Sequence, residues 1–194
     1  MLGAGVCPVL KLRKKGIPVA YGTDGSNCGP ASYLETLRMA AHLMRLTDPD
    51  FEEWPDAKQI LKEAYQNGAR ALGQEKKLGS LETGLYADFV VLRPQGHWHR
   101  PMGNPFLHLF YYENGQSTES VWVNGEQVVK DGFLLTINEE DLVLEAEEIV
   151  VRRREQLPKD TVETVAAQYP LFRDMIIKTL TSDDLNIERR INLN

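Results

Sequence analysis

Cysteine is scarce in this chain. Cys7 and Cys28 are the only two, too few for a disulfide framework and in keeping with a reducing, cytoplasmic setting. No apolar run approaches the roughly 18 residues of a membrane helix, and the opening Met1-Leu2-Gly3-Ala4-Gly5 does not resemble a signal peptide. A basic face is missing too: net charge is −6, and Lys11, Arg13, Lys14 and Lys15 stand alone as a cationic cluster. That argues against a nucleic-acid partner. There is no internal repeat and no low-complexity segment. What remains, 42% hydrophobic and 26% charged residues, is ordinary for a soluble globular protein.

Size sets a further bound. The 194 residues suffice for one ordinary domain, or a small domain with appendages. A closed (β/α)8 barrel needs about 200 to 250 residues by itself. The stretch around which the chain is organised is Gly16 to Asn27. Ile17 to Tyr21 reads as a short buried strand, because apolar and β-branched residues favour a covered pleat. Gly22 and Gly25 flank Thr23-Asp24 and allow a sharp turn. A carboxylate at the C-terminal end of such a strand is where barrel enzymes place their chemistry. Read from spacing alone, Asp24 equally suits a helix cap or an Asx-turn.

Several helices announce their own ends. Pro8 opens a helix from Val9 to Lys15. Ser32 and Glu35 have capping-box spacing, with Tyr33, Leu37, Ala40 and Met44 on one apolar face. His42 on that helix reads as a surface or core residue rather than a ligand. Asp56 and Gln59 repeat the cap signal, followed by Ile60, Leu61, Ala64, Tyr65 and Ala69 as a buried stripe and Gly73 as a stop. From Gly79 the period shortens: Ala87 to Leu92 reads as a strand, and Asn124-Gly125 as a two-residue hairpin turn between Val121 and Val129. Leu134 and Leu135 extend that sheet. Asn138 caps a helix from Glu139 to about Gln156, with acids in its first turn, Arg152 to Arg154 in its last, and Leu142, Ala146, Ile149 and Val150 facing inward. A last helix starts at Asp160 and Glu163, and Pro170 breaks it before Leu171 to Leu180. The tail from Asp183 reads as loose.

Taken together, Gly3-Ala4-Gly5-Val6-Cys7-Pro8, Gly16 to Asn27, Asn67-Gly68-Ala69-Arg70-Ala71-Leu72-Gly73, Gly79 to Gly84, Ala87 to Leu92 and Val121 to Gly125 resemble the amidohydrolase superfamily. The likeness is to its cytosine-deaminase-like and atrazine-chlorohydrolase-like branch, C-terminal portion only. The resemblance implies an α/β fold: the last strand and helices of a metal-dependent hydrolase (β/α)8 barrel, part of a small β-sandwich, and C-terminal helices. It places residues 1–78 in the barrel, 79–137 in the composite sandwich and 138–194 in helices and tail, with Met1 at an internal position of a longer ancestor.

The resemblance also implies a chemistry. Enzymes of this branch hold one divalent metal, zinc or iron, through a His-x-His pair, further histidines and an aspartate after the eighth strand. Metal-bound water ionises near neutral pH and attacks an sp² ring carbon. Asp24 matches that aspartate, as metal ligand and catalytic proton acceptor, and Ser26 and Asn27 fall where substrate would be touched. His97-Trp98-His99 does not qualify as the family pair, since it follows Asp24 and Pro94-Gln95-Gly96 rather than preceding the aspartate after an apolar strand. His108 reads as structural, and Cys28 lacks a placed base. One carboxylate cannot hold a catalytic metal that needs about three protein ligands. The expectation is thus the C-terminal part of a hydrolase acting on C–N bonds, by hydrolytic deamination of an aminated pyrimidine, purine or triazine, with this chain inactive by itself. Alternatives are a dechlorinase of the same family, or an inert truncated paralogue serving as an interaction module. The implied partners are a small heterocyclic substrate and other chains, through homo-oligomerisation or the incomplete sheet.

Overall fold

The structure, a computed structural model, describes residues 6–25, 29–95 and 97–181. It is an α/β fold with, among the described residues, one four-stranded sheet that is antiparallel and not closed into a barrel. The chain divides into two compact units, one running to Thr136 and the other starting at Ile137. No described helix is long and apolar enough to cross a membrane.

Three helices open the first unit: α1 (Val9–Lys14), α2 (Tyr33–Thr47) and α3 (Ala57–Ala71). The N-termini of α2 and α3 follow from side-chain caps. Ser32 Oγ accepts the Glu35 N–H at 3.4 Å and Asp56 Oδ1 accepts that of Gln59 at 2.7 Å, each satisfying a donor that the first turn cannot bond internally. Helix α3 ends as its glycine requires. Gly73 has φ +64, its N–H reaches the Arg70 carbonyl at 3.0 Å, and the Gln74 N–H reaches that of Ala69 at 2.8 Å, the pair of bonds that define a Schellman close.

A short helix that the sequence patterns did not reveal, α4 (Pro105–Tyr111), completes this layer. Asn104 caps it through bonds from Phe106 and Leu107, and Pro105 sits in its first turn, where no N–H is needed. Phe110 is fully buried with Leu37, Ala41, Ile60, Leu61 and Ala64, so α4 seals the groove between α2 and α3. Arg38 of α2 donates to the carbonyls of Phe110 and Glu113, occupying the unsatisfied acceptors at the end of α4 with a cation. Tyr65, expected in the buried stripe of α3, instead has 54% of its surface exposed. The other members of that stripe, Ile60, Leu61, Ala64 and Ala69, are buried.

The sheet runs β1 (Phe89–Leu92), β2 (Thr118–Val123), β3 (Glu126–Lys130) and β4 (Phe133–Leu134), in that spatial order. Val123 pairs with Glu126 across Asn124 (φ 50) and Gly125 (φ 80). Both turn residues are left-handed, the requirement of a type I′ hairpin. Asp131 (φ 52) and Gly132 (φ 83) repeat that device between β3 and β4. Phe89 faces Trp122 in register, with ring centroids 5.7 Å apart and planes 12° from parallel, a cross-strand pair that ties β1 to β2.

The second unit holds α5 (Glu139–Gln156) and α6 (Thr161–Thr181). Asn138 Oδ1 caps α5 by accepting from Glu140 and Asp141. Two expectations fail here. Leu142 and Val150 are 53% and 48% exposed and α5 has no buried residue, so its apolar positions form no inward face. Pro170 does not break the last helix, which continues through it to Thr181. A proline removes one intrahelical bond and bends the axis, and the flanking turns carry the helix across that local loss. The tail from Asp183 lies outside the described residues.

Candidate functional site

The segment leading to Asp24 is held by isolated hydrogen bonds and burial rather than by a sheet. Residues 17–25 form no strand, contrary to the reading of Ile17 to Tyr21 as one. A strand needs a ladder partner, and none of the four described strands pairs with this segment. Its anchors are the Ile17 N–H, which donates to Leu12 O at 3.0 Å, and the Asn67 side-chain amide, which donates to Val19 O at 2.9 Å. Burial supplies the third anchor. Tyr21 packs against both apolar clusters of the unit, the one around Phe110 and the one formed by Val9, Leu10 and Met44. Ile17 itself is 47% exposed, and in the segment only Val19, Tyr21 and Thr23 are partly covered.

Tyr21 carries the strongest electrostatic signature nearby. Burial pushes its phenol up to about 12, with the Glu63 carboxylate adding to the effect and Arg13 opposing it. Its hydroxyl is buried and has no hydrogen-bond partner among the described residues. Glu63 and Arg13 form an ion pair at 2.9 Å. Burial raises the Glu63 carboxyl above its ordinary value, and Arg13 draws it back.

Asp24 emerges three residues beyond Tyr21, exposed, with φ 60. The left-handed angle falls on the aspartate itself and not on Gly22. Asp tolerates this region because its short polar side chain can bond locally, and here Oδ1 accepts the Gly25 N–H at 2.7 Å. Asp24 caps no helix, since the cap of α2 is Ser32. One carboxylate oxygen is thus oriented by the backbone, and the other has no hydrogen-bond partner among the described residues. Ser26, Asn27 and Cys28 lie outside the described residues. Gly29 then returns close to this turn: a Cβ on it would lie 3.3 Å from Thr23 O.

The segment also borders an apolar cavity of about 270 Å³, lined by Val9, Val19, Tyr21, Met39, Ala40 and Met44 among others. A larger polar cavity of about 440 Å³ lies on the sheet side, between Arg93, His99, Tyr112, Gln116, Glu119 and Asp131. None of the segment around Asp24 lines it. Of the histidines only His99, expected to be a loop residue, lines this cavity, and His108, expected to be structural, lies beside His99. His99 is 8% exposed, its ring lies 6.2 Å from that of His108, and the Nδ1 atoms of both are buried without partners among the described residues. His108 Nε2 accepts the Gly103 N–H at 3.3 Å. His97 is exposed while His99 is buried, so the His-Trp-His triplet does not present its two rings together. His42 is exposed on α2.

Near that cavity, Glu113 is buried and its Oε1 accepts the N–H groups of Gly115, Asn114 and Ser117 at 2.7, 3.0 and 3.3 Å. Burial pushes its carboxyl up, yet the bonds from Ser117, Gly115 and Asn114 together outweigh burial and hold it below the usual range. Among the described residues no group of three or more His, Cys, Asp or Glu side chains is placed to hold a metal ion.

Comparison with known proteins adds a frame to this geometry. The profile of the amidohydrolase family matches residues 1–128. A 5-methylthioadenosine/S-adenosylhomocysteine deaminase of Syntrophus aciditrophicus is 36% identical over 159 residues, 80% of this chain and 35% of the relative. A 5'-deoxyadenosine deaminase of Methanosphaera stadtmanae is 34% identical over 146 residues, 75% of this chain and 34% of that protein. Among solved structures, a zinc-bound adenosine deaminase of Xanthomonas campestris superposes with a TM-score of 0.71 at 29% identity, over 77% of this chain and 34% of that one. An atrazine chlorohydrolase of Arthrobacter aurescens in complex with zinc gives 0.67 at 30% identity, over 76% and 33%. The chain spans about a third of the length of the curated relatives it matches.

Proposed function

Because the chain belongs to the amidohydrolase family, we propose that it forms the part of a C–N hydrolase that carries the aspartate next to the metal. The reaction is hydrolytic deamination of an aminated N-heterocycle: water adds to the amino-bearing ring carbon, the C–N bond breaks, and ammonia leaves. Both curated relatives described above are deaminases of adenosine derivatives, which favours an aminated purine over a pyrimidine or triazine.

The observation that carries this reading is the setting of Asp24. Its backbone takes a left-handed angle, one oxygen accepts the Gly25 N–H, and the residue is exposed. Asp24 is the residue we assign to metal contact and to accepting a proton from water. Ser26 and Asn27, on the loop that follows, are assigned to substrate contact. A catalytic zinc needs about three protein ligands, and the described residues contribute no such group. They do not fit the metal by themselves, so the remaining ligands belong to chain outside the described residues. Zinc or iron, when bound by a complete site, supplies water ionised near neutral pH.

The sheet edges β1 and β4 carry no further strand among the described residues, which supports pairing with another strand or chain there. Two cysteines in 194 residues support a cytoplasmic location.

The test is a chimera in which this chain replaces the matching third of the Syntrophus aciditrophicus relative. Ammonia release from 5-methylthioadenosine is the readout. The chimera turns over, and Asp24→Asn lowers the rate by about 10²- to 10⁴-fold, the span for a lost proton-transfer group. Turnover retained by Asp24→Asn removes that residue from the mechanism.

A further inference from the structure

Helix α6 carries a regularity that the packing of its own unit does not use. From Val162 five of its apolar positions step by three, four, three and four residues through Val165, Tyr169, Phe172 and Ile176, while Leu171 and Met175, exposed as well, lie off that row. That spacing is the inner seam of a coiled coil. All five side chains are exposed, at 77, 63, 68, 54 and 53%. The charged residues keep off the seam. With Val162 as the first inner position, Glu163, Asp174 and Lys178 fall on outward positions, and only Arg173 flanks the seam. Pro170, whose missing N–H weakens one face of the helix, also falls outward.

A helix of this kind needs a partner. Propensity alone leaves an isolated helix marginal in water, and most helical stability comes from a packed apolar face. The family profile ends at residue 128, so α6 lies outside the region that it matches.

We infer that α6 pairs with α6 of a second copy of this chain, seam to seam, in a two-stranded coiled coil. A two-fold pair meets itself, so each seam faces an identical uncharged seam with no buried ion to desolvate. Taking the exposures above with ordinary side-chain areas, two copies burying these five positions remove on the order of 1,000 Å² from water, the area that a specific interface must clear. The seam is only about two heptads long, which predicts a reversible dimer rather than a permanent one.

The experiment is sedimentation equilibrium of the full chain, compared with the double variant Val165→Asp/Phe172→Asp and with the outward control Glu163→Gln. The full chain dimerises reversibly. The seam variant raises the dissociation constant at least about 100-fold, and the control stays within about 2-fold. Hydrogen exchange over α3 and over β2–β3 confirms that the first unit still folds in each variant. A monomeric full chain with α6 protected from exchange would mean that its own chain covers the seam, and would overturn the pairing. So would a dimer that survives the seam substitutions, since association would then run through another surface such as the edges of β1 or β4. The outcome is independent of whether Asp24 is catalytic.

Discussion

The side-chain amide of Asn67, in the C-terminal half of α3, donates to the backbone carbonyl of Val19 at 2.9 Å. It is a bond between a helix and a segment that has no ladder of its own. The family-like run from Asn67 to Gly73 and the run ending in Asp24 are therefore in physical contact, although 48 positions separate the two partners.

Removing that bond has a defined cost. Asn67→Ala lowers stability by about 0.5–1.5 kcal/mol, the net worth of one neutral hydrogen bond. Asn67→Asp costs more, because a carboxylate then faces the Val19 carbonyl, acceptor against acceptor. Urea midpoints of the two variants check this, and an unchanged midpoint for Asn67→Ala would show that the segment is held by Tyr21 packing alone.

Glu113 gives a pH prediction. Its carboxyl is held below its ordinary value in the fold, so ionised Glu113 contributes stability that is fully present above the ordinary value of 4.5. That contribution is lost as the pH falls through the lower, folded value. The melting temperature of the wild type should exceed that of Glu113→Gln at pH 6, with the gap closing as the pH is lowered below 4.5. A gap that is constant down to pH 3 would show that the bonds to Gly115, Asn114 and Ser117 do not depend on the charge.

Two glycines separate backbone strain from crowding. Gly73 (φ +64) has nothing within 4 Å of a built Cβ, whereas at Gly79 (φ +102) that atom would lie 3.1 Å from Ala69 Cβ and 3.2 Å from Tyr65 O. Gly73→Ala therefore bears only the left-handed penalty of about 1–2 kcal/mol. Gly79→Ala bears conformational strain and a clash with backbone, and is the more damaging of the two. Equal losses in thermal unfolding would mean that the connector after α3 gives way.

Much of the local architecture was legible because its signals are short-range. Ser32 with Glu35, Asp56 with Gln59, Asn138 and Gly73 mark ends that depend on bonds within a few residues, and Asn124-Gly125 specifies its hairpin in the same way. What depended on distant partners was not. Ile17 to Tyr21 has the composition of a strand but no neighbour to pair with, and α4 owes its place to a buried Phe110 and a remote Arg38. The Asp131-Gly132 turn was visible in principle, as a second pair of the Asn-Gly type. At the candidate site, Asp24 could be singled out from its flanking glycines and its likeness to a family motif. Its left-handed angle and its bond to Gly25 could not, because both are set by how Tyr21 and Asn67 seat the chain before it.

The order of strands along the chain has a consequence for synthesis. Strands β2, β3 and β4 follow one another through two-residue turns, so each finds its neighbour as soon as it emerges. Strand β1 must wait for Thr118. At about 5–20 residues per second of translation, that leaves its hydrogen-bonding edge without β2 for roughly 1–5 s. The nascent chain is most open to mispairing during that interval, and a chaperone that shields extended segments would act there to greatest effect.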